Sequence, residues 1–597
     1  MSNIDEEILD ENTISSQEMD LECLANELLL DLFEYLSSLD LLRAFYTLNT
    51  RLNDLIFLHF QRHALNFQSI SKSHFQWICK QHLPTMTDAI IALRLSDDDD
   101  TPQQINLFFT YNFSFQQHFI YLQSLSIHRI YSSQSLHRIM LELPFLSHLR
   151  HLKITRYKIV YDELYDLQFL HRLGCLSQLL YCHLDITNDN HRCILIPTIR
   201  SSSVQVLSLP YLNCNLNQFQ TLLADVVDLQ SLYISIVDHS ITSPTFTSIN
   251  LLTITKLNMI FYGSLLSIKY LLQIMPNLEE LKMNMPSTYI DGQQWEILIE
   301  KNLFRLKIIQ LKMSISLPHE KHPEETIEEI LNSFRRPFWI IKHRWFIQCH
   351  WTITDGSSIV SIYTLPYAFR HFSYSGNGQS KSTYSNENFH WSFDRIQNLY
   401  YGYIPSANIS VPNIRLHNIR HLDLTIPFDD SFWTIVSTLD RLTSLNIVLN
   451  SQMDTKEIQW KLQILINRAI CLHSLTYFSW SNENVFPFEL RNFTIRQLDL
   501  RSPNLLYNYL QCIELTRSSI GQQCQVLLIN VDQRANIIYL VNHMNNLRAL
   551  IVQCPSTSSK STNKNLLQWL EQHLPSTCLI SNSAILDDDD DIRLWIG

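Results

Sequence analysis

Glycine is scarce in this chain, with 9 residues among 597. Enzymes that hold phosphates or dinucleotides need glycine-rich turns, because the backbone must approach the ligand closely. The sequence contains no GxGxxG, GxxxxGK(S/T) or GxSxG motif. The scarcity therefore argues against the commonest enzyme classes, and we expect a protein with no catalytic residues and no cofactor.

Positive charge is also in short supply, since 45 Lys and Arg residues oppose 57 Asp and Glu residues and give a net charge of −12. No long stretch offers the basic footprint expected for nucleic acid or an anionic membrane. The first residues are acidic and polar, unlike a secretion signal, and no apolar run approaches the roughly 20 residues of a membrane span. We expect a cytoplasmic or nuclear protein that binds neither nucleic acid nor membrane. The acid runs Asp97–Asp100 and Asp587–Asp591 predict solvent-exposed loops.

Patterns for metal binding are missing as well. The 12 cysteines include no CxxC pair, and we expect reduced, mostly buried thiols. His319 and His322 stand three residues apart beside prolines, and the Cys and His residues of 171–193 follow no zinc-knuckle spacing. We therefore expect no metal site.

Three short helices with almost no linker are predicted near the N-terminus. Apolar residues from Leu28 to Leu36 recur at helical period and give the first helix one apolar face. Ser37 or Ser38 predicts an N-cap for the second helix, and Asn49 predicts one for the third. Three helices in so few residues bury little among themselves, so an apolar face should stay exposed until a partner covers it.

This pattern resembles the F-box, the motif by which substrate receptors of SCF-type cullin–RING ubiquitin ligases bind their Skp-family adaptor. The family usually starts Leu-Pro-x-Glu, whereas Ala25 stands here in place of the proline. Proline presets φ at the first turn of a helix, so its loss should loosen the entry without abolishing the helix. The alternative is an ordinary three-helix cap on a larger core. The resembling residues are Leu24, Glu27, Leu28, Leu29, Leu32, Phe33, Tyr35, Leu36, Asp40, Leu41, Leu42, Leu48, Asn49 and Leu52. The residues expected to contact the adaptor are Leu24, Leu28, Leu32, Phe33, Leu36, Leu39 and Leu42.

After about residue 120 an apolar-x-x-apolar-x-apolar pattern keeps returning. Its middle residues Leu207, Leu232 and Leu257 are spaced by 25, and Leu281 follows after 24, within the roughly 20–29 residues of leucine-rich repeats. Each repeat would be a strand plus a helix that cannot bury its own leucines, so neighbours stack into one core. We predict an α/β fold in which the F-box precedes an irregular leucine-rich-repeat solenoid, shaped as a horseshoe. The alternative is a buried-strand α/β protein without repeat symmetry.

The repeats depart from the usual pattern at two points. The Asn or Cys that normally follows the LxL core and bonds the turn backbone is mostly absent, with Cys214 and Asn504 as loose candidates. Residues 338–370 break the rhythm, because β-formers there flank Asp355-Gly356, a strong hairpin signal. The Ser- and Asn-rich stretch of about 371–390 that follows predicts a loop.

The 338–370 segment and the chain end look similar to a large set of F-box/leucine-rich-repeat proteins from bdelloid rotifers. That likeness implies the architecture alone. The predicted domains are an acidic disordered N-terminus at 1–20, the F-box at 21–65, a first repeat block at 66–337, the inserted hairpin and polar loop at 338–390, and a second block with a C-terminal cap at 391–597.

The middle residue of each apolar-x-apolar core should point away from the buried leucines, because side chains alternate along a strand. These residues are polar or amphipathic until Ile551 breaks the row near the end. Solenoids commonly bind partners on such rows, with Tyr233 here as an aromatic anchor; the alternative is a solvated surface without a partner. The residues predicted to bind a protein target are Lys153, His183, Tyr233, Asn258, Lys282, Gln310, Asp423, Asn446 and Asp499.

These features predict a non-catalytic substrate receptor. The F-box would bind the Skp-family adaptor and, through it, a cullin–RING ligase, while the repeats bind an unknown protein target. The contribution of such a chain is proximity, which raises the effective concentration of the target at the ligase. The alternative is a leucine-rich-repeat scaffold that engages no ligase, for which Ala25 is the hint. An enzyme would need a site that no local motif indicates.

Overall fold

The computed structural model describes residues 21–130, 133–159, 173–188, 203–223, 226–238, 251–318, 323–353, 357–375, 378–384, 393–402, 414–428, 430–449, 454–481, 485–554, 562–582 and 591–597. The apolar-x-apolar cores form β-strands, because alternate residues can then enter a shared core. In spatial order the first sheet contains β1 (Leu65–Asn66), β2 (Ala92–Ser96), β3 (Ser124–His128), β4 (His151–Ile159), β5 (Tyr181–Asn188), β6 (Val206–Cys214), β7 (Ser231–Val237), β8 (Lys256–Tyr262), β9 (Glu280–Met285), β10 (Ile308–Pro318), β12 (Ser357–Leu365), β11 (Phe346–Ile353) and β14 (Gln379–Ser382).

A second sheet follows the first. Strands β1 to β10 pair in parallel, as do those from β13 to β21, whereas the last strands of each sheet pair antiparallel. This mixed α/β arrangement with parallel-strand sheets is consistent with a leucine-rich-repeat-like fold. In spatial order the second sheet contains β13 (His371–Ser375), β15 (Asn398–Gly402), β16 (His421–Ile426), β17 (Ser444–Leu449), β18 (Ser474–Ser479), β19 (Gln497–Asp499), β20 (Val526–Asn530), β21 (Ala549–Gln553), β23 (Ile592–Trp595) and β22 (Leu579–Asn582).

Helices connect many of the strands and shield the leucines that one strand cannot cover. Trp295 of α11, for example, is fully buried. The described helices are α1 (Asn26–Glu34), α2 (Ser38–Phe45), α3 (Thr50–Phe60), α4 (Lys72–Trp77), α5 (Leu83–Met86), α6 (Gln104–Thr110), α7 (Phe115–His118), α8 (Ser133–Glu142), α9 (Leu216–Leu223), α10 (Leu265–Gln273), α11 (Gly292–Asn302), α12 (Pro323–Phe334), α13 (Ser431–Ile435), α14 (Thr455–Arg468), α15 (Tyr509–Arg517), α16 (Ser519–Gln523), α17 (Arg534–His543) and α18 (Thr562–His573).

One main-chain carbonyl at the entry of each parallel strand accepts two N–H groups from the next repeat. The carbonyl of Gln205 accepts from Gln230 N at 2.8 Å and from Ser231 N at 3.0 Å. The corresponding carbonyls accept the same pair of hydrogen bonds in the other repeats, from that of Ile91 to that of Glu279 in the first sheet and from that of Arg370 to that of Gln525 in the second. Because each carbonyl sets the register of the following strand, the apolar cores of neighbouring repeats align.

Side-chain donors tie the turns of neighbouring repeats together. The two loose candidates from the sequence do this, since Asn504 Nδ2 donates to Trp480 O at 3.3 Å and Cys214 Sγ donates to Ser235 O at 3.4 Å. The side-chain amides of three other asparagines make similar hydrogen bonds, but these residues precede a strand instead of following one. They donate from Asn277 to Leu252 O at 2.8 Å, from Asn418 to Asp394 O at 2.9 Å and from Asn546 to Gln522 O at 2.7 Å.

The segment predicted as an inserted hairpin and loop is shared between the two sheets. Strands β11 and β12 pair antiparallel as a hairpin, while its predicted turn, Asp355-Gly356, lies outside the described residues. β12 also pairs with β10 and β11 with β14, so the hairpin lies within the first sheet and β14 forms its edge. Part of the predicted loop is instead strand β13, because Phe372 and Tyr374 both enter the core.

The two ends of the described chain meet. Trp595 of β23 is fully buried, and its ring centroid lies 5.8 Å from that of Phe75 in α4. The Lys72 ammonium of the same helix donates to the carbonyl of Thr577. The last strand therefore adds Trp595 to the hydrophobic core that begins at Leu29.

We call the contact between Trp595 of β23 and Phe75 of α4 the closure. Charged side chains surround it. Asp99 pairs with Arg129 and, at 3.4 Å, with buried Arg593. Asp591 is also buried, and its carboxylate lies 3.0 Å from Arg501. Although Asp99 is largely buried, which raises its pKa, the arginine charges prevail and hold the pKa below its usual range.

The acid run Asp97–Asp100 is therefore no solvent-exposed loop, and that prediction is wrong. Asp97 is buried and its carboxylate accepts from Ile105 N at 2.9 Å at the start of α6. Burial raises the pKa of Asp97 to about 7. Nearby main-chain donors and arginines far along the chain pair with these carboxylates. The sequence of the acid run reveals neither kind of partner. Residues 587–590 of the other run lie outside the described residues.

His350 of β11 is buried among aromatic rings, 5.1 Å from the ring of Tyr374 and 6.0 Å from that of Phe372. Neither of its ring nitrogens has a hydrogen-bond partner among the described residues. Burial disfavours the charged imidazolium and lowers the pKa of His350 to about 4.

We predict that Arg593→Met weakens the closure, because the largely buried Asp99 carboxylate loses one of its cationic partners. Breaking a buried ion pair costs about 3–5 kcal/mol, and Asp99 keeps Arg129, so we expect the lower end. Urea denaturation should show an earlier midpoint, and hydrogen exchange should accelerate at residues 592–595. Lys307→Met, which removes an exposed pair with Glu279 at 2.8 Å, is the control and should cost under about 1 kcal/mol. Equal effects of the two variants would contradict the closure.

We predict that His350 makes the fold less stable in acid. Its pKa is lower in the folded than in the unfolded chain, so stability present above about pH 6.5 is lost as the pH falls toward 4. The loss approaches about 3 kcal/mol at 1.36 kcal/mol per pKa unit. His350→Leu, close in volume and uncharged, should flatten the pH dependence of the urea midpoint over this window. An unchanged slope would show that the imidazole stays solvated.

Candidate protein-interaction surfaces

The predicted caps of the N-terminal helices are confirmed at two of the three helix starts. Ser37 Oγ accepts from Asp40 N at 3.1 Å at the start of α2, and Asn49 Oδ1 accepts from Leu52 N at 2.8 Å at the start of α3. Ala25 precedes α1 and supplies no side-chain cap. These caps satisfy main-chain donors that would otherwise be unpaired.

Arg51 of α3 holds the entry of α1, where the F-box family usually has proline. Its guanidinium donates to Leu24 O at 2.5 Å and to Asn26 Oδ1 at 2.9 Å. A contact across 25 to 27 residues therefore stabilises a turn that proline would stabilise locally.

The residues predicted to contact an adaptor differ in exposure. Leu28 is 53% exposed, whereas Phe33 is fully buried with its ring 5.2 Å from that of Phe45. Leu42 is buried as well, so a partner could touch Phe33 or Leu42 only if the helices opened. Those that are partly buried are Leu24, Leu32, Leu36 and Leu39.

The accessible part of this surface is one face of α1, which we define as Leu28, Leu32 and Tyr35. These residues stand at i, i+4 and i+7 and therefore lie above one another on a helix. Tyr35 is 88% exposed, the largest exposure of the three. Sequence reasoning included Tyr35 in the F-box resemblance but not among the contact residues, and its place seven residues after Leu28 was the available signal.

Leu36 and Leu39 face a different environment. Both line a cleft of about 490 Å³ between the helices and the first sheet. His59 and His63 stack in this cleft with ring centroids 4.4 Å apart, and Arg94 of β2 lines its other side. Burial, followed by the nearby His63, lowers the pKa of His59 to about 4.

The predicted target-binding residues lie in register across the strands. Tyr233, for example, pairs with Asn258, and Asn258 pairs with Lys282. We define the polar row as these residues and their register partners. In the first sheet they are Arg94, Ser126, Lys153, His183, Ser208, Tyr233, Asn258, Lys282 and Gln310, and in the second they are Ser373, Tyr400, Asp423, Asn446, Thr476 and Asp499.

Four members of the polar row were missed in the sequence, and three of them, Ser373, Tyr400 and Thr476, precede a tyrosine where leucine was sought. Tyr400 precedes buried Tyr401, and Thr476 precedes buried Tyr477. The row then ends as the sequence indicated, since Leu528 and Ile551 at the same register are buried. An aromatic residue at the second core position would have been a sufficient signal.

The middle of the row in the first sheet, from Lys153 to Asn258, forms the central stretch. His183 Nδ1 and Ser208 Oγ lie 2.8 Å apart. Burial beside Tyr211 and Asp185 raises the pKa of Tyr233 to about 12, so its phenol stays protonated. Tyr211 is itself 46% exposed. The stretch therefore offers aromatic surface together with hydrogen-bonding groups.

Other parts of the row contact the chain itself. Lys282 Nζ donates to Ala368 O at 2.8 Å and lies 4.8 Å from the centroid of the Phe369 ring. Asp499 pairs with Arg501 at 2.9 Å, the same arginine that reaches the closure. These two predicted target contacts are thus engaged within the molecule.

The second sheet presents a shorter accessible stretch. Asp423 is exposed, and Asn446 beside it is partly buried. The Asn446 side-chain oxygen Oδ1 is buried without a hydrogen-bond partner among the described residues, which is a costly arrangement. Gln310 of the first sheet is partly buried and lies next to Lys282.

The described residues contain no group of three His, Cys, Asp or Glu side chains arranged to hold a metal ion. None of the described helices is long and apolar enough to cross a membrane. His319 and His322 lie outside the described residues.

Comparison with known proteins gives little. No protein-family model matches the chain, and no curated protein matches it. Among solved structures, the crystal structure of a TLR13–ssRNA13 complex is similar at 12% identity with a TM-score of 0.25. The match covers 76% of this chain and 65% of that one, so the chain spans about two thirds of its length. A TM-score this low carries no argument about ligand or partner.

Proposed function

We propose that this chain is a non-catalytic substrate receptor of an SCF-type cullin–RING ubiquitin ligase. The α1 face would bind the Skp-family adaptor, and the central stretch of the polar row would bind a protein target. The observation that carries the proposal is the α1 face itself. Leu28 and Tyr35 leave apolar surface in water, although Leu29 and Phe33 on the opposite face are fully buried.

Exposed apolar side chains on one helix face are the kind of surface that a partner covers. Burying a leucine contributes about 1.5–3 kcal/mol, so a few such residues can anchor a complex. The contact that Arg51 makes with the entry of α1 supports the proposal, because it supplies the order that the absent proline would have given.

The second candidate is a leucine-rich-repeat scaffold that engages no ligase. Ala25 favours it, as does the burial of Phe33 and Leu42, which leaves fewer residues for the adaptor than the F-box resemblance implies. The two candidates share the target surface and differ only in adaptor binding. Adaptor binding therefore separates them.

We predict that Leu28→Asp combined with Tyr35→Asp abolishes adaptor binding. Both side chains are exposed, so the fold should survive, while two charges would be desolvated in the complex at a cost of several kcal/mol. Co-expression with the Skp-family adaptor followed by affinity purification measures the effect. The control is Leu266→Asp with Ile297→Asp, two exposed residues (65% and 56%) of other helices, which should leave binding intact. Failure of the native chain to bind the adaptor would favour the scaffold, whereas loss in both variants, or in neither, would show that the α1 face is not the docking surface.

We predict that Tyr233→Ala combined with Asn258→Ala prevents target turnover without affecting the adaptor. Proteomics of cells that lack the chain should reveal proteins whose abundance rises, and re-expression of the native chain should lower them again. The double variant should fail to do so, because an aromatic anchor and its polar neighbour are lost. Tyr509→Ala, which removes an exposed tyrosine (53%) from α15, should restore turnover. Restoration by the double variant would place target binding elsewhere.

A further inference from the structure

Four cationic side chains and one histidine gather where the first sheet meets the second, and we call them the junction cluster: Lys282, Lys312, Arg370, His371 and Arg395. Lys282 and Lys312 lie on adjacent strands, since β9 and β10 pair in parallel. The segment between the sheets reaches both lysines. Lys282 is bonded to Ala368 O at 2.8 Å, and the Lys312 ammonium lies 5.8 Å from the centroid of the Tyr367 ring.

The cations lie close enough to repel one another. Burial and then the charges of Arg395 and Arg370 lower the pKa of Lys282. Burial and then Lys312, His421 and Arg370 lower the pKa of His371, while Asp423 acts in the opposite direction. Burial alone lowers the pKa of Lys312. Like charges in a partly desolvated place destabilise each other.

Few carboxylates neutralise the positive charge of the junction cluster. The ion pairs formed among the described residues involve acids near other cations, such as Glu280 with Lys256 and Glu279 with Lys307. None of them includes a member of the junction cluster. Asp423 opposes the surrounding cations in their effect on the pKa of His371. In a chain with a net charge of −12, this local excess of positive charge is unexpected.

Lysines are seldom buried unless they are paired. Lys282 and Lys312 are both partly buried, whereas Arg370 and Arg395 are exposed at the rim. Gln397 N and Asn398 N donate to Arg370 O at 3.0 and 2.9 Å, which brings the segment that carries Arg395 next to Arg370. Arginine forks match the planar oxygens of carboxylates and phosphates.

We propose that the junction cluster binds an acidic protein segment through carboxylate or phosphate oxygens. The role of this segment as part of a ligase target rests on the proposed function, whereas the binding itself does not. The cluster adjoins the polar row through Lys282, so an extended target could contact the central stretch and the junction cluster together. Its acidic residues would then form the ion pairs that the junction cluster does not form among the described residues.

The test uses the purified full-length chain without an adaptor, so that a failure of adaptor binding cannot affect it. The probes are three short fluorescein-labelled peptides that alternate Ser with Glu, with phosphoserine or with Gln. Fluorescence anisotropy should show binding of one or both anionic peptides and none of the Gln peptide. The tighter of the two anionic peptides identifies carboxylate or phosphate as the recognised group. Added salt should weaken the binding, because screening reduces the attraction.

The variant is Arg370→Gln with Arg395→Gln, and the matched control is Arg62→Gln with Arg517→Gln, which removes the same charge at exposed positions elsewhere. We expect the dissociation constant to rise about tenfold or more in the variant and to stay unchanged in the control. Circular dichroism should match among all three proteins, and Arg395→Gln alone replaces the double variant if it does not. Absence of binding, equal binding of the Gln peptide, or an equal loss in the control would each overturn the proposal.

Discussion

The double hydrogen bond at each strand entry is the constraint on which the rest of the molecule depends. The carbonyls of Gln205, Gln230 and Thr255 each accept two N–H groups from the following repeat, so no strand can slip by one residue without losing both. A slip of one residue would exchange the buried and exposed faces of a strand. Register therefore decides that Leu232 and Ile234 are buried and that Tyr233 between them reaches solvent. The same pair of hydrogen bonds at the strand entries therefore aligns both the polar row and the leucine core.

The N-terminal helices belong to the same hydrophobic core as the first sheet. Leu29 and Phe33 of α1 are continuous with the buried residues of β2 and β3, including Leu93 and Leu125. Helices that share a core with the sheet cannot swing freely relative to it, because core packing is dense and rigid. Under the proposed function, the α1 face and the central stretch are therefore held at a fixed distance, which suits a receptor that has to present a target to a separate catalytic subunit.

The sequence could predict what local pattern determines. Alternation around Leu207, Leu232 and Leu257 located strands in the described structure, and Ser37 and Asn49 were recognisable as caps because a cap bond spans three residues. Contacts between distant residues could not be predicted. Arg51 at the entry of α1 acts across 27 residues, Lys282 meets Ala368 across 86, and Arg593 meets Asp99 across 494. The contact between Arg593 and Asp99 helps to bury the acid run. The hydrogen bond from Lys282 to Ala368 O removes Lys282 from the predicted target contacts.

The closure between the chain ends also has a consequence for biosynthesis. A ribosome releases the chain from its N-terminus onward, and the partner of Asp99 lies 494 residues later. Until Trp595 and Arg593 emerge, Phe75 and Asp99 lack contacts that the finished molecule gives them. Nascent chains then hold an uncovered apolar and acidic surface for most of translation, at about 5–20 residues per second. Chains cut short before β23 keep that surface uncovered, which should expose them to chaperones and proteases.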